Sequence, residues 1–303
     1  MSGFILRRDN AALQGTDTGT GALTVLFQHG LGGSEAQVAE NFPPAASMRR
    51  ITLECRAQGG STAGTARPFS IAMFSDDVLA ACDARGVDAF VAGGISMGAA
   101  IALRLAVRVP ARVRGLILAR PAWLFDPAPA NLRPYAEVAT LLRAHPPEAA
   151  KARFTAGATA QMLARDAPDN LASLLGFFDR PDPALTATLL ADIAADGPGV
   201  SRAEAAALRI PTLVIGHAVD HAHPLAAAEA LTAASPGARL VQIPPKATER
   251  EAHVAAMRAA IRDFLLELGR SAEAAPGPAP HAAPSDASGH ASWSMLPRAP
   301  RHA

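Results

Sequence analysis

The chain has 303 residues, of which 50% are hydrophobic and only 5% aromatic, with 28 Lys and Arg against 27 Asp and Glu. This length and apolar content suffice for one large folded core or two small ones, and they exclude disorder of the whole chain. The near-zero net charge, without a long run of one sign, argues against a nucleic-acid partner or an anionic membrane surface and favours a small-molecule ligand.

Cysteine usage and hydropathy indicate a cytoplasmic protein. Cys55 and Cys82 are the two cysteines, too few for a disulfide framework, and we expect both thiols to be reduced and buried. The first eight residues contain no apolar stretch of signal-peptide length. No apolar run approaches the roughly 18 residues that a membrane-spanning helix needs. We therefore expect a cytoplasmic location.

Short apolar segments alternate with helical patterns along most of the chain. The predicted strands cover residues 24–28, 50–55, 89–92, 113–119, 212–215 and 239–243. Helical patterns cover 76–85, 97–109, 224–234 and a C-terminal stretch with Val254, Met257, Ile261, Phe264, Leu265 and Leu268 on one face. The alternation predicts an α/β fold, in which a mostly parallel central sheet is flanked by helices.

The strand pattern is interrupted after the fourth of these strands. Four helical segments punctuated by proline follow one another there, at 131–144, 147–154, 170–178 and 184–195. We predict a helical cap at 121–208, inserted between two parts of the core at 1–120 and 209–270. From residue 271 onward Ala, Pro, Gly, Ser and His dominate, so 271–303 is predicted to be a disordered tail that buries too little apolar surface to fold.

The strongest motif is Gly-Ile-Ser-Met-Gly at residues 94–98, between a predicted strand and a predicted helix. A nucleophile on so sharp a turn has strained backbone angles, and the residues two before and two after it crowd each other unless both are glycine. The motif predicts Ser96 as a nucleophile at the carboxyl edge of the sheet. The alternative is a Gly-rich turn without chemistry.

A second Gly-rich segment, His-Gly-Leu-Gly-Gly at residues 29–33, directly follows the predicted strand 24–28. Its glycines allow backbone amides to approach a ligand. We predict that the amides of Leu31 and Met97 converge on a developing oxyanion. A phosphate-binding loop is disfavoured because the segment lacks the Lys-Ser/Thr ending of a nucleotide loop.

Taken in chain order, these motifs resemble the α/β-hydrolase superfamily over about residues 4–268. Residues 55–61, Cys-Arg-Ala-Gln-Gly-Gly-Ser, are similar to the D-x-R-G-x-G-x-S loop of that family, with Ala57 in place of a customary glycine. The cap also occupies the usual place, after the sixth strand. The resemblance implies Ser96 as nucleophile, Asp220 as acid and His253 as base, with no cofactor.

Physical arguments about the acid agree with the resemblance but leave an alternative. Asp220 follows the strand 212–215, so its carboxylate would lie at the edge of the sheet and could orient an imidazole. Asp126, which follows the strand 113–119, is the competing acid. The chain order Ser, Asp, His favours Asp220.

The base is chosen by elimination among the histidines that follow the acid. His253 lies near the start of the last predicted helix, after a capping pattern formed by Thr248 and Glu251. His221 and His223 are expected to be too close to the acid in sequence to reach the nucleophile easily. A metal site of these two histidines with a third, His217, is disfavoured, because so short a loop usually points its side chains apart.

Substrate contacts are predicted from residues at the carboxyl edge. His29, Arg120 and Trp123 are the candidates, since each follows a predicted strand closely. Arg120 has two interpretations: it contacts an anionic or strongly polar group of the substrate, or it pins the cap through Asp126.

The function predicted from the sequence is a serine hydrolase that cleaves a carboxylic ester or related acyl substrate. Two alternatives use the same scaffold, acyl transfer to another acceptor and hydrolysis of a C–C bond. A third alternative is a receptor that binds a small ligand without turnover.

Overall fold

The computed structural model describes residues 2–44 and 48–274, with side chains up to residue 270. In this part of the chain eight strands form one sheet in the order β1-β2-β4-β3-β5-β6-β7-β8. The strands are β1 Ser2–Arg8, β2 Ala11–Thr18, β3 Leu23–Gln28, β4 Met48–Leu53, β5 Phe90–Ile95, β6 Val113–Ala119, β7 Thr212–Gly216 and β8 Ala238–Gln242. Strands β3 to β8 are parallel, whereas β2 is antiparallel to both β1 and β4. The predicted mostly parallel sheet is confirmed.

The six strands predicted from apolar runs correspond to β3 to β8. The hairpin of β1 and β2 was not predicted, for a physical reason. Strand β1 is largely exposed and β2 alternates between buried and half-buried residues. The inward positions of β2 include Gly15 and the charged Asp17, so the sequence shows no alternating apolar pattern there.

Helices cover both faces of the sheet. Helices α2 Ile71–Ala84, α3 Met97–Arg108 and α10 Leu225–Ala234 pack on one face, and α1 Glu35–Asn41 and α11 Arg250–Ala274 pack on the other. Because side chains alternate along a strand, neighbouring residues of one strand enter different cores. Leu26 and Leu116 join the first core, while Val25 and Ile117 join the second.

A run of helices separates β6 from β7, in the place predicted for the cap. We call residues 121–208 the helical layer. Its helices are α4 Arg133–Ala144, α5 Pro147–Ala156, α6 Ala158–Asp166, α7 Pro168–Leu175, α8 Pro183–Ala195 and α9 Arg202–Ala207. Proline lies in the first turn of α4, α5, α7 and α8, where its missing N–H costs nothing. Within this layer, the two helices absent from the sequence prediction are α6 and α9, which are short and lack a proline start.

Helix α11 extends to Ala274, so the first four residues of the predicted tail are helical. The remainder of that tail, 275–303, lies outside the described residues. Both cysteines are free and buried, as expected. Over the residues that can be described, none of the helices combines the length and the apolar character required to cross a membrane.

Candidate active site

Ser96 occupies the sharp turn between β5 and α3, and its backbone has φ 57° and ψ −110°. The two flanking glycines permit this turn. A Cβ atom on Gly94 would lie 2.4 Å from the carbonyl carbon of Gly98, and a Cβ atom on Gly98 would lie 2.3 Å from the Gln28 oxygen. These separations are impossible for real side chains, so glycine is required at both positions. Ser96 lines a cavity of about 220 Å³.

A histidine and a carboxylate continue from the Ser96 hydroxyl in a hydrogen-bonded row. Ser96 Oγ lies 2.8 Å from His223 Nε2, and His223 Nδ1 lies 2.8 Å from Asp220 Oδ1. With a proton on Nδ1, the ring donates to the carboxylate and accepts the serine hydroxyl proton at Nε2. Asp220 and His223 are both buried. The three groups therefore form the geometry of a Ser-His-Asp triad.

His253 does not take the position that the sequence argument assigned to it. Its Nδ1 lies 2.9 Å from the Pro244 carbonyl oxygen, and its ring packs edge-on against His217 with the centroids 5.1 Å apart. Burial lowers the pKa of His253 to about 4. Helix α11 begins at Arg250, so this ring sits in the first turn of the helix and is buried. The prediction of His253 as base does not fit this geometry, in which His223 contacts the nucleophile.

The Asp220 carboxylate is surrounded by hydrogen-bond donors. Oδ2 accepts from Arg120 Nε at 2.8 Å and lies 2.7 Å from Arg120 Nη2, and His217 Nε2 is 3.2 Å away. Oδ1 accepts from Asn170 Nδ2 at 2.9 Å in addition to His223. Burial by itself raises the pKa of Asp220, but the charges of His223 and Arg120 and the hydrogen bonds outweigh it and hold this pKa well below its usual value. Asp220 is therefore ionised at neutral pH.

Burial also lowers the pKa of His223 below its usual value. The Asp220 carboxylate opposes this shift, whereas the positive charge of Arg120 adds to it. The net effect keeps the imidazole neutral at pH 7. A neutral imidazole with a free lone pair on Nε2 can accept a proton from Ser96.

Arg120 emerges directly after β6 with a positive φ of 48°, and its amide donates to the Ile215 oxygen at 2.7 Å. Its guanidinium pairs with Asp220 and lies 3.5 Å from Asp169 of helix α7. The expected partner in the helical layer, Asp126, makes no hydrogen bond or ion pair with Arg120 or His223 in the described structure. Arg120 thus joins the helical layer to the acid through Asp169. It also lines the cavity.

The Gly-rich loop at residues 29–33 leaves the amide of Leu31 without a hydrogen bond in the described structure. The amides of Gly30 and Gly32 donate to the side chains of Gln37 and Gln58, each at 2.7 Å. Within the described residues, the amide of Leu31 donates no hydrogen bond. The same holds for the amide of Met97, the first residue of α3. Leu31 lines the cavity and Met97 directly follows Ser96, so these two amides are the candidate oxyanion donors.

Two of the predicted substrate contacts have structural roles instead. His29 is fully buried, with Nδ1 2.7 Å from the Gly30 oxygen and Nε2 accepting from the Cys55 amide at 2.9 Å. Trp123 is 3% exposed and donates from Nε1 to the Asp196 oxygen at 2.9 Å. Neither residue lines the cavity. The hydrogen bonds of His29 link the Gly-rich loop to the segment 55–61. The hydrogen bond of Trp123 links the start of the helical layer to Asp196.

The helical layer supplies cavity residues that the sequence analysis did not identify. They are Tyr135 of α4, Asn170 and Ser173 of α7, and Lys246 joins them from the loop after β8. Phe177, which follows α7, adds an aromatic ring to the cavity wall. Isolated polar residues on amphipathic helices carry no distinctive pattern, so a single sequence does not reveal these positions.

Comparison with known proteins places the chain in a family. Residues 24–247 match the family described as alpha/beta hydrolase fold. A Klebsiella pneumoniae (strain 342) protein named as a carbamate hydrolase, RutD, is 27% identical over 231 residues, which cover 74% of this chain and 84% of that protein.

Two solved structures share the architecture. The enol-lactonase from Burkholderia xenovorans LB400 has a TM-score of 0.66 and 24% identity, covering 86% of this chain and 99% of that one. The esterase from Thermogutta terrifontis has a TM-score of 0.62 and 24% identity, covering 87% and 94%. At this level of identity the two structures support the fold alone. The family match spans most of the chain, and this protein belongs to the alpha/beta hydrolase fold family.

Proposed function

We propose that this protein is a serine hydrolase that cleaves a carboxylic ester or a related acyl compound through a covalent acyl-enzyme. The observation that carries the proposal is the row of two 2.8 Å contacts that joins Ser96, His223 and Asp220 at the wall of a cavity. This row contains a nucleophile, a neutral base and an ionised acid in the order that acyl transfer requires.

In the first half of the reaction, Ser96 Oγ attacks the acyl carbon while His223 Nε2 takes the hydroxyl proton. The carbonyl oxygen becomes an oxyanion, to which the amides of Leu31 and Met97 donate. When the intermediate collapses, the bond to the leaving group breaks and His223 returns the proton to it. Asp220 stabilises the imidazolium that exists between these two proton transfers.

In the second half, water replaces the leaving group. His223 removes a proton from the water, whose oxygen attacks the acyl-enzyme carbon. Collapse of the second intermediate breaks the bond to Ser96 Oγ, and His223 returns the proton to the serine. The products are the free carboxylic acid and the regenerated hydroxyl.

The cavity suits an acyl group of small size. Its volume of about 220 Å³ and its mixture of Leu31 and Phe177 with Ser173 and Lys246 suit a compact, partly polar substrate. Carbamates belong in the substrate panel because the curated relative is named as a carbamate hydrolase. An alcohol or thiol that intercepts the acyl-enzyme would convert hydrolysis into acyl transfer, so the panel also includes such acceptors.

Covalent labelling tests the proposal. A fluorophosphonate should modify one serine per chain, Ser96, because an activated hydroxyl beside oxyanion donors reacts fastest. Ser96→Ala should abolish the label and reduce turnover of p-nitrophenyl acetate by about 10⁴-fold or more. Ser173→Ala, which alters another serine at the same cavity, should still take the label.

Two kinds of result would contradict this function. One is a label that peptide mapping locates at another residue, or ester turnover that survives in Ser96→Ala. The other is saturable binding of esters without turnover in the unmodified protein, which would favour a small-ligand receptor.

A further inference from the structure

The loop after β7 carries the proposed acid and base within four residues, yet it has little support from its own backbone. In the described structure, residues 217–223 make no backbone-to-backbone hydrogen bond. Side chains satisfy the loop instead. The amide of His223 donates to Asp220 Oδ1 at 3.2 Å, and two asparagines of the helical layer bind Ala222, one of the two residues between acid and base.

Ala222 is held through both its amide and its carbonyl oxygen. Its amide donates to Asn170 Oδ1 at 2.8 Å, and its carbonyl oxygen accepts from Asn131 Nδ2 at 2.6 Å. Asn131 Nδ2 also donates to the Ala122 oxygen at 2.9 Å. The path of the loop is therefore fixed by side chains that lie 52 and 91 positions away in the chain.

Asn170 makes a second contact that reaches the acid itself. Its Nδ2 donates to Asp220 Oδ1 at 2.9 Å, and this is the same oxygen that faces His223 Nδ1. One amide group thus binds both the carboxylate and the backbone two residues later. Asparagine suits this role because its side chain offers a donor and an acceptor on one rigid plane. The side chain is 4% exposed, so water does not compete freely for these bonds.

We propose that Asn170 is a positioning residue for the acid–base pair, through which the helical layer completes the site as well as covering it. The inference rests on the proposed triad. Asn170 fixes both the orientation of the Asp220 carboxylate and the path of the loop backbone. Nε2 of His223 is thereby held at hydrogen-bond distance from Ser96. Without Asn170, Asp220 keeps Arg120 on Oδ2 and His223 on Oδ1 but loses the Oδ1 donor that helix α7 supplies.

The test compares Asn170→Ala and Asn170→Asp with the unmodified protein. Asn170→Asp preserves the side-chain volume and an acceptor for the Ala222 amide, but it removes the donor to Asp220. Both variants should lower kcat for p-nitrophenyl acetate by about 10- to 100-fold, because a small misplacement of catalytic groups costs about 100-fold. KM should change much less than kcat.

Asn41→Ala is the matched control, since Asn41 is also a buried asparagine but bonds within its own helix, to the Gln37 oxygen at 2.9 Å. It should lower the melting temperature by an amount similar to Asn170→Ala and leave kcat unchanged. A proton NMR spectrum adds a direct signature. The His223 Nδ1 proton in its bond to Asp220 should resonate far downfield of the amide region, and this resonance should be lost or broadened in the Asn170 variants.

The outcomes separate this inference from the proposed function. If Ser96 of the unmodified protein takes no fluorophosphonate, the proposed function fails first. If Ser96 is labelled but the Asn170 variants retain kcat within twofold, the positioning role is overturned and the triad stands. A loss of kcat with an unchanged downfield resonance would likewise overturn it, and Asn170→Asp decides the matter if Asn170→Ala does not fold.

Discussion

Two loops at the carboxyl edge of the sheet each contain a buried histidine, but they place it differently. The loop after β7, residues 217–224, holds His223 between Ser96 and Asp220. The segment after β8, residues 243–253, ends in His253, which contacts the Pro244 oxygen and the ring of His217. This difference shows that the number of residues between two groups in the chain does not predict whether their side chains can contact each other. In a tight turn the first and fourth residues come within about 7 Å of each other, so an acid and a base three residues apart can face one another.

Replacing the two histidines one at a time is the strongest test of this comparison. His223→Ala should lower kcat by about 10⁴- to 10⁶-fold, since it removes the group that takes the Ser96 proton. His253→Ala should leave kcat within about threefold, because its ring makes no contact with the nucleophile in this structure. Steady-state kinetics on a chromogenic ester, with circular dichroism as the control for folding, measure both. The reverse order of effects would return the base to the segment after β8.

Arg120 offers the next largest effect. Arg120→Leu leaves the buried Asp220 carboxylate and the half-buried Asp169 carboxylate with one partner fewer each and should destabilise the fold by about 3–5 kcal/mol. Because Arg120 lowers the pKa of His223, its removal should raise that pKa. Only neutral His223 is active, so kcat/KM falls as pH drops through this pKa. The acidic limb of the profile should therefore move from below pH 6.5 toward higher pH.

Arg120→Lys is the control for charge, and it should shift the acidic limb less than Arg120→Leu. An unmoved profile would show that Arg120 does not act on the base. A rise in KM confined to acidic esters would instead support the alternative from the sequence, direct contact with an anionic substrate group.

The fold could be predicted from the sequence more completely than the candidate site. Strands β3 to β8 are short apolar runs, and the glycines flanking Ser96 mark the sharp turn because no other residue fits there. The hairpin of β1 and β2 escaped prediction because the inward positions of β2 combine Ala11 and Leu13 with Gly15 and Asp17, which breaks the apolar alternation. The partner of Ser96 and the contact of Asn170 with Asp220 depend on how distant segments meet, which one sequence does not encode in any local pattern.

His253 should contribute to the pH dependence of stability rather than to catalysis. Its pKa is about 4 in the folded protein, whereas an unfolded histidine titrates near 6.5. Between these values the unfolded chain binds the extra proton, so the free energy of unfolding falls as pH decreases. From pH 7 to pH 5 the loss through this group is about 2 kcal/mol. Urea denaturation of the unmodified protein and of His253→Gln at pH 7 and at pH 5 measures this loss. An equal decrease in the free energy of unfolding of the two proteins would refute it.

The smallest effect is expected at a third loop, residues 55–61. Ala57 has a φ of 61°, a conformation that costs an L-residue about 1–2 kcal/mol and glycine almost nothing. Part of that gain is lost to the greater entropy of unfolded glycine, so Ala57→Gly should stabilise the protein by roughly 0.5–1 kcal/mol. Ala63→Gly, at an ordinary backbone conformation, should destabilise it instead. Stabilisation by neither variant, measured by urea denaturation, would show that the turn is not strained.

The three-residue spacing of Asp220 and His223 has a consequence for changes in chain length. Insertion or deletion of one residue between them should move the imidazole away from both the carboxylate and Ser96. The segment between β8 and α11 carries neither group, so a change in its length would leave the spacing of Asp220 and His223 unaltered. The number of residues in one short loop, rather than the position of the C-terminal helix, therefore determines whether the proposed base lies between Ser96 and Asp220.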